Sequence, residues 1–386
     1  MVRTDVPRWA GAHVAIVLGA VLGALAAFPV VADAAAACRP LGGLQTRDVA
    51  TRTSGARIEV TEYLGDGGYR VSYCTAAGAL EQSQRVEAVA IPGEAAAMLP
   101  VTTFRADPRR SAGAGSIGVL AQITYADPDD PEFARQWPAA KLDAAQRTLP
   151  PTQPVSPAGT RAGLTRAIAD GARRVVRPPA SVAGRAVGDS CRDRHYAFNG
   201  LRIFTGHYRY HANRSRMPHG DADRRQVTAG HHAFNDTIND CGLSDVTDVV
   251  AAYSGPTKAT PHSYPDGVNV VDFGDIANVA GGCGGQVAGV LACTWGQTRD
   301  GVYFADIDQR YSTRYLWSDD GAAGRYDVRS VAAHESGHAV GLDHANSSRY
   351  LTMYHQIARD ERWKRTLALG DVRGLRCRYG VTTGGC

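Results

Sequence analysis

The chain has 386 residues, a net charge of +4, 44% hydrophobic and 21% charged residues. That composition supports a globular core, and the length leaves room for more than one folded unit. So small a charge gives no basis for a nucleic-acid partner, and short arginine pairs such as Arg109-Arg110 and Arg224-Arg225 read as solvated faces.

In chain order, Arg3 and Arg8 precede an apolar run from Ala10 to Val31, followed by Ala32-Asp33-Ala34. A basic start, an apolar middle and an Ala-x-Ala site predict a signal peptide over 1–34 and a secreted, extracellular product. Cys38 lacks the large apolar residue three places upstream that a lipidated cysteine requires. No later stretch is long and apolar enough to span a bilayer, so no membrane span is expected after cleavage.

The 8 cysteines, at 38, 74, 191, 241, 283, 293, 377 and 386, all follow the predicted cleavage point. An even number in an exported chain favours disulfides, and the absence of C-x-x-C argues against a thiolate zinc site. Sequential pairing (38–74, 191–241, 283–293 and 377–386) is the simplest of the many connectivities.

Residues 35–105 read as a small β-rich region. Within it, 56–75 alternate apolar and polar residues around Asp66-Gly67-Gly68, a predicted hairpin, and 84–105 are strand-like. From 106 to 188 Pro, Ala, Gly and Arg dominate, which predicts a linker or propeptide with a short helix near 161–176.

A compact domain is expected over 189–386. HYRYHA (207–212) alternates as a strand, and 222–241 carries Val227, His231, Phe234 and Ile238 at helical spacing, with Asp221 or Asp223 as N-cap. VTDVVAAYS, VNVVDFGD, AGVLACTW and GVYFADIDQRY are strand-like. YDVRSVAAHESGHAV and LALGDVRGLRCRYG are helical. Strands followed by helices in this order predict an α+β fold.

The second-last helix carries the chemistry. His334 and His338 are four residues apart, so they share one helix face. Glu335 follows the first of them, rotated to reach a water on an ion held by the pair. Gly341 permits a positive φ and a sharp exit from the helix, which brings His344 within reach as a third ligand. Three neutral nitrogens leave a tetrahedral zinc one open position, the arrangement of a catalytic site. Glu335 would then take the proton of a zinc-bound water and pass it to the leaving amine.

The spacing His334-Glu335-x-x-His338-x-x-Gly341-x-x-His344 resembles the zinc signature of the metzincins. The longer VAAHESGHAVGLDH (331–344) is most similar to the matrixins, the matrix-metalloproteinase-like family, in their bacterial secreted form. The resemblance covers about 191–380 and includes GVLACTW (289–295), LTMY (351–354) and LGDVRGLRCRYG (369–380). It implies a metzincin/zincin-like catalytic domain with a twisted mixed sheet, an active-site helix, a Met-turn and a C-terminal helix. It also implies a zinc metalloendopeptidase acting on protein or peptide substrates, here expected to be monomeric. Val290, Leu291 and Ala292 would form the edge strand that pairs with substrate. Met353 would floor the zinc site without ligating it, and Asp371 would bond to the Met-turn backbone.

The sequence also departs from that pattern. Cys293 stands where animal matrixins place a histidine of a second, structural zinc, and no such zinc is expected. His219-Gly220-Asp221 reads as a turn and cap. Calcium is a possibility through Asp266, Asp272, Asp306 or Asp308. His355, two residues after Met353, is expected to be exposed. No cysteine-switch sequence precedes residue 191, so a latency group, if there is one, is not identified. The loop 354–366, rich in Arg and Lys, would line the substrate pocket. The alternative is a non-catalytic secreted binding or adhesion module that keeps a structural zinc; the presence of Glu335 favours the enzyme.

Overall fold

The computed structural model describes residues 48–137 and 189–380, apart from 65–67, 77, 90–96, 107–117, 246, 263–264, 280–282 and 284–287. The predicted signal peptide, the helix near 161–176, Cys38 and Cys386 lie outside the described residues.

Sixteen strands and four α-helices are present among them. In chain order they run β1 (Asp48–Ser54), β2 (Arg57–Tyr63), β3 (Tyr69–Thr75), β4 (Leu80–Val89), β5 (Ala97–Ala106), β6 (Gly118–Ala126) and α1 (Pro131–Gln136). Then come β7 (Ala197–Phe198), β8 (His207–Ala212), α2 (Asp221–Asn235), β9 (Val250–Pro256), β10 (Val270–Gly274), β11 (Val290–Thr298) and β12 (Phe304–Ser312). The last are β13 (Trp317–Ser318), β14 (Tyr326–Asp327), α3 (Val328–Ala339), β15 (Leu342–Asp343), β16 (Gln356–Ile357) and α4 (Leu369–Tyr379).

One 12-stranded mixed sheet organises the molecule, in the order β1, β2, β3, β4, β5, β6, β11, β12, β10, β8, β9, with β16 beside β6. From β1 to β12 every pairing is antiparallel, and β12, β10, β8 and β9 run parallel. The predicted hairpin is the β2–β3 pair, with Tyr63 opposite Tyr69. The arrangement is α+β, as the element pattern implied.

Two elements fall within 106–188, where composition predicted a linker or propeptide. The run Val119-Leu120-Ala121-Gln122-Ile123-Thr124-Tyr125 forms β6 and joins the sheet along β11 from Gly118–Thr298 to Tyr125–Val290. The short helix α1 follows, capped by Asp130, which accepts from the Glu132 N–H at 2.8 Å. Phe133 of this helix and Trp137 at its C-cap are buried in the main core. The apolar content of this stretch was diluted by its Pro- and Ala-rich surroundings, and its pairing partner is far away in sequence. β11 is buried at all nine positions because it has strands on both sides and helix below it. That explains its near-continuous apolar sequence.

Helix α2 crosses α3 at close range: a Cβ on Gly230 would stand 2.5 Å from Ala332 Cβ. Its N-cap is Gly220 rather than Asp221 or Asp223. Asp223 instead turns back to accept the His219 N–H at 2.6 Å, and Asp221 pairs with Arg224. Disulfides Cys191–Cys241 and Cys283–Cys293 are both formed. Cys74 and Cys377 are also disulfide-bonded; their expected partners, Cys38 and Cys386, lie outside the described residues. Among the described residues no helix is long and apolar enough to cross a membrane.

Candidate metal centre and cleft

Helix α3 starts at Asp327, whose carboxylate accepts from the Ser330 N–H at 2.7 Å. It is buried on nearly every face, so its polar residues must find partners inside the protein. His334 and His338 lie one turn apart, edge to face, with ring centroids 4.7 Å from each other. The helix stops at Gly341, with φ +93°, where a Cβ would lie 2.3 Å from Leu201 O. Only glycine fits both the dihedral and that contact. The chain turns there and His344 swings back beneath the helix. Its Nε2 lies 3.3 Å from His334 Nε2 and 3.1 Å from His338 Nε2.

The second nitrogens determine what this cluster can hold. His334 Nδ1 faces Thr352 O at 2.7 Å and His338 Nδ1 faces Leu342 O at 3.0 Å. A carbonyl only accepts, so both Nδ1 atoms carry hydrogen and both Nε2 atoms present lone pairs to the interior. Burial pushes His338 down to about 4 and His334 and His344 well below the usual imidazole range. Three neutral, fully buried imidazoles therefore converge on one point with the carbonyls fixing two of their tautomers. That donor set fits zinc, including the outer hydrogen bonds that orient ligating histidines.

Glu335 is also 0% exposed. One carboxylate oxygen accepts from Thr124 Oγ1 and the other from Thr294 Oγ1, each at 2.6 Å. Burial raises its pKa to about 7, against the two hydroxyls that favour the charged form.

Met353 sits under α3, and the space for it is made by Gly337. The turn that carries it hangs on Asp371, which accepts from the N–H groups of Thr352 at 2.8 Å, Met353 at 3.2 Å and Ala368 at 2.9 Å. His355 is buried rather than exposed as expected: Nδ1 meets Asn346 Oδ1 at 2.8 Å, and Glu87 lies 3.6 Å away. The cause is non-local, since β4 of the N-terminal sheet covers it.

Val290, Leu291 and Ala292 lie at the start of β11 beside the cluster, but β6 pairs along that edge, with a bulge between Val290 and Ala292. In the loop 354–366, the cations are committed: Lys364 to Glu361, Arg359 to Asp130, Arg365 to Asp327 and Arg362 to Gly321 O. The calcium aspartates do not come together as one site. Asp272 takes a two-pronged contact from Arg310 at 2.7 Å, while Asp306 and Asp308 accept backbone N–H groups from Asp266, Gly267, His262 and Val270. His219, Asp223 and Asp319 also bring ligand-type atoms within 4.8 Å, with His219 and Asp223 bonded to each other.

Thr124 and Thr294 carried no sequence signal of this role. A glycine inside a helix is costly, and that cost at Gly337 was the one available hint.

Residues 271–380 match the family model described as matrixin. Human matrix metalloproteinase-27 is 39% identical over 73 residues, which are 19% of this chain and 14% of that protein. The chain thus covers about one seventh of the length of the curated relative it matches. The segment matched by the matrixin model contains the histidine triad.

Proposed function

We propose that the protein is a secreted, matrixin-like zinc endopeptidase in which His334, His338 and His344 hold the ion and Glu335 is the general base. The convergence of three neutral imidazoles, two of them fixed by backbone carbonyls, carries this reading. Zinc bound there acidifies water and polarises a peptide carbonyl.

The chain's own residues do the rest. Glu335, with a pKa near 7, takes a proton from the attacking water and gives it to the leaving amine. Thr294 holds one of its oxygens and so fixes the carboxylate's direction. Met353 supplies a soft apolar floor that keeps the imidazoles in place without competing for the ion. Val290–Ala292 on one side and Gln356–Ile357 on the other are the two backbone rails for an extended peptide.

The test is zinc stoichiometry and casein cleavage by protein recovered from the culture medium, its N-terminus sequenced. Cleavage should stop with a chelator and fall at least about a hundredfold in Glu335→Gln, with zinc retained. A zinc-loaded chain that begins beyond residue 126 yet cleaves nothing in a broad peptide library would establish the adhesion-module reading instead.

A further inference from the structure

We propose that residues 48–126 are a self-inhibitory module that closes the cleft by laying β6 along it as a substrate would lie, with Thr124 on Glu335 and, among the described residues, no ligand offered to the metal. This rests on the peptidase reading above.

The slot is the first observation. The C-terminal half of β6 runs antiparallel to β11, with Ile123 opposite Cys293, Thr124 opposite Ala292 and Tyr125 opposite Val290. Tyr125 and Ala126 run parallel to Gln356 and Ile357. The Tyr125 N–H donates to His355 O at 2.9 Å and the Ala126 N–H to Gly289 O at 3.0 Å. Strand pairing of this kind is how an extended peptide gains affinity for a sheet edge, so both rails are already used.

The second is what the side chains of β6 do. Alternation along a strand sends Gln122 and Thr124 to one face, and that face meets the site. Thr124 Oγ1 bonds Glu335, and Gln122 Nε2 reaches Leu342 O at 3.2 Å and Asp343 Oδ1 at 3.3 Å. With Thr294 on the other side, each oxygen of the general base already accepts a hydroxyl. With Thr294 holding the other oxygen, Thr124 occupies the remaining carboxylate oxygen that an attacking water would have to reach.

The third is the cover. Arg85 of β4 donates to His344 O at 2.8 Å, Thr102 of β5 to Asp343 Oδ1 at 2.7 Å, and Glu87 lies against His355. His334, Glu335, His338 and His344 are all 0% exposed as a result. A hydrolytic centre must admit water and a carbonyl, and this one admits neither while the module is docked. Cys74, the one cysteine in 48–126, is disulfide-bonded, so the closure is made by backbone pairing and hydroxyls rather than by a thiolate.

The experiment uses the full chain loaded with zinc, as wild type, Thr124→Val, Thr124→Ser and Ala126→Pro. Zinc per chain and thermal melting are measured first. Hydrolysis of a quenched fluorescent peptide and binding of a fluorescent peptide hydroxamate are then measured on each. Loss of a hydrogen bond to a charged group shifts the open fraction roughly ten- to hundredfold. Hydroxamate affinity and peptide hydrolysis should therefore both rise by that factor in Thr124→Val and by roughly two- to tenfold in Ala126→Pro, which loses a neutral backbone bond to Gly289 O, while Thr124→Ser stays closed. If hydroxamate binding rises and no variant cleaves peptide, the occlusion stands and the peptidase reading fails. Equal hydroxamate affinity in all four folded, zinc-loaded chains would overturn the proposal, as would a wild-type chain, intact from before residue 118, that cleaves peptide as fast as the variants.

Discussion

Gly337 and Met353 meet where no side chain could stand between them: a Cβ on Gly337 would lie 2.1 Å from Met353 Sδ and 2.9 Å from the Phe234 ring. The thioether enters the helix surface in the turn that separates His334 from His338. Gly337→Ala should gain about 1 kcal/mol in helix propensity and lose about 1–3 kcal/mol to overpacking, with the triad displaced. Chemical denaturation and zinc titration should both show weakening; a variant more stable than wild type with unchanged zinc affinity would refute the packing argument.

Asp371 holds the turn from the other side. Its buried carboxylate accepts three backbone N–H groups, and an asparagine in its place has one acceptor oxygen. Asp371→Asn should cost about 1–3 kcal/mol for the N–H groups left without a partner. A melting temperature equal to wild type, measured calorimetrically, would mean that the turn is held by something else.

Acid should weaken the protein through His231. This imidazole is fully buried against Tyr210, with centroids 4.3 Å apart, and donates from Nδ1 to Val227 O. Burial lowers its pKa to about 4. Below the ordinary value near 6.5 the unfolded chain takes up a proton that the folded chain refuses. The stability this residue contributes is therefore complete above about 6.5 and is lost as pH falls towards 4, by up to about 3 kcal/mol. His231→Phe keeps a ring on Tyr210 and should flatten that part of the stability curve. Parallel curves for the two proteins between pH 7 and 4 would count against the assignment.

The parts of the site that the sequence made legible are local. His334 and His338 are related by one helical turn, and Gly341 sets the exit that returns His344; all three relations lie within eleven residues. The same holds for the β2–β3 hairpin and for helices α3 and α4. What was hidden depends on residues far apart in the chain. A threonine in a strand is commonplace, so nothing in the sequence marks Thr124 and Thr294 as the two partners of Glu335. Burial of His355 depends on Glu87, and the short apolar run of β6 acquires its meaning only beside β11.

Every pairing from β1 to β5 joins neighbours in sequence, whereas Ile123 of β6 lies opposite Cys293, 170 residues later (293 − 123). Contacts that close long loops form slowly and late. The N-terminal meander can therefore assemble while most of the chain is still unfolded. It would then present β6 as a finished template, on which the wide central sheet is completed last. In pulsed hydrogen exchange during refolding, amides of β2–β4 should gain protection before those of β10–β12. The reverse order would show that the C-terminal half builds its sheet unaided.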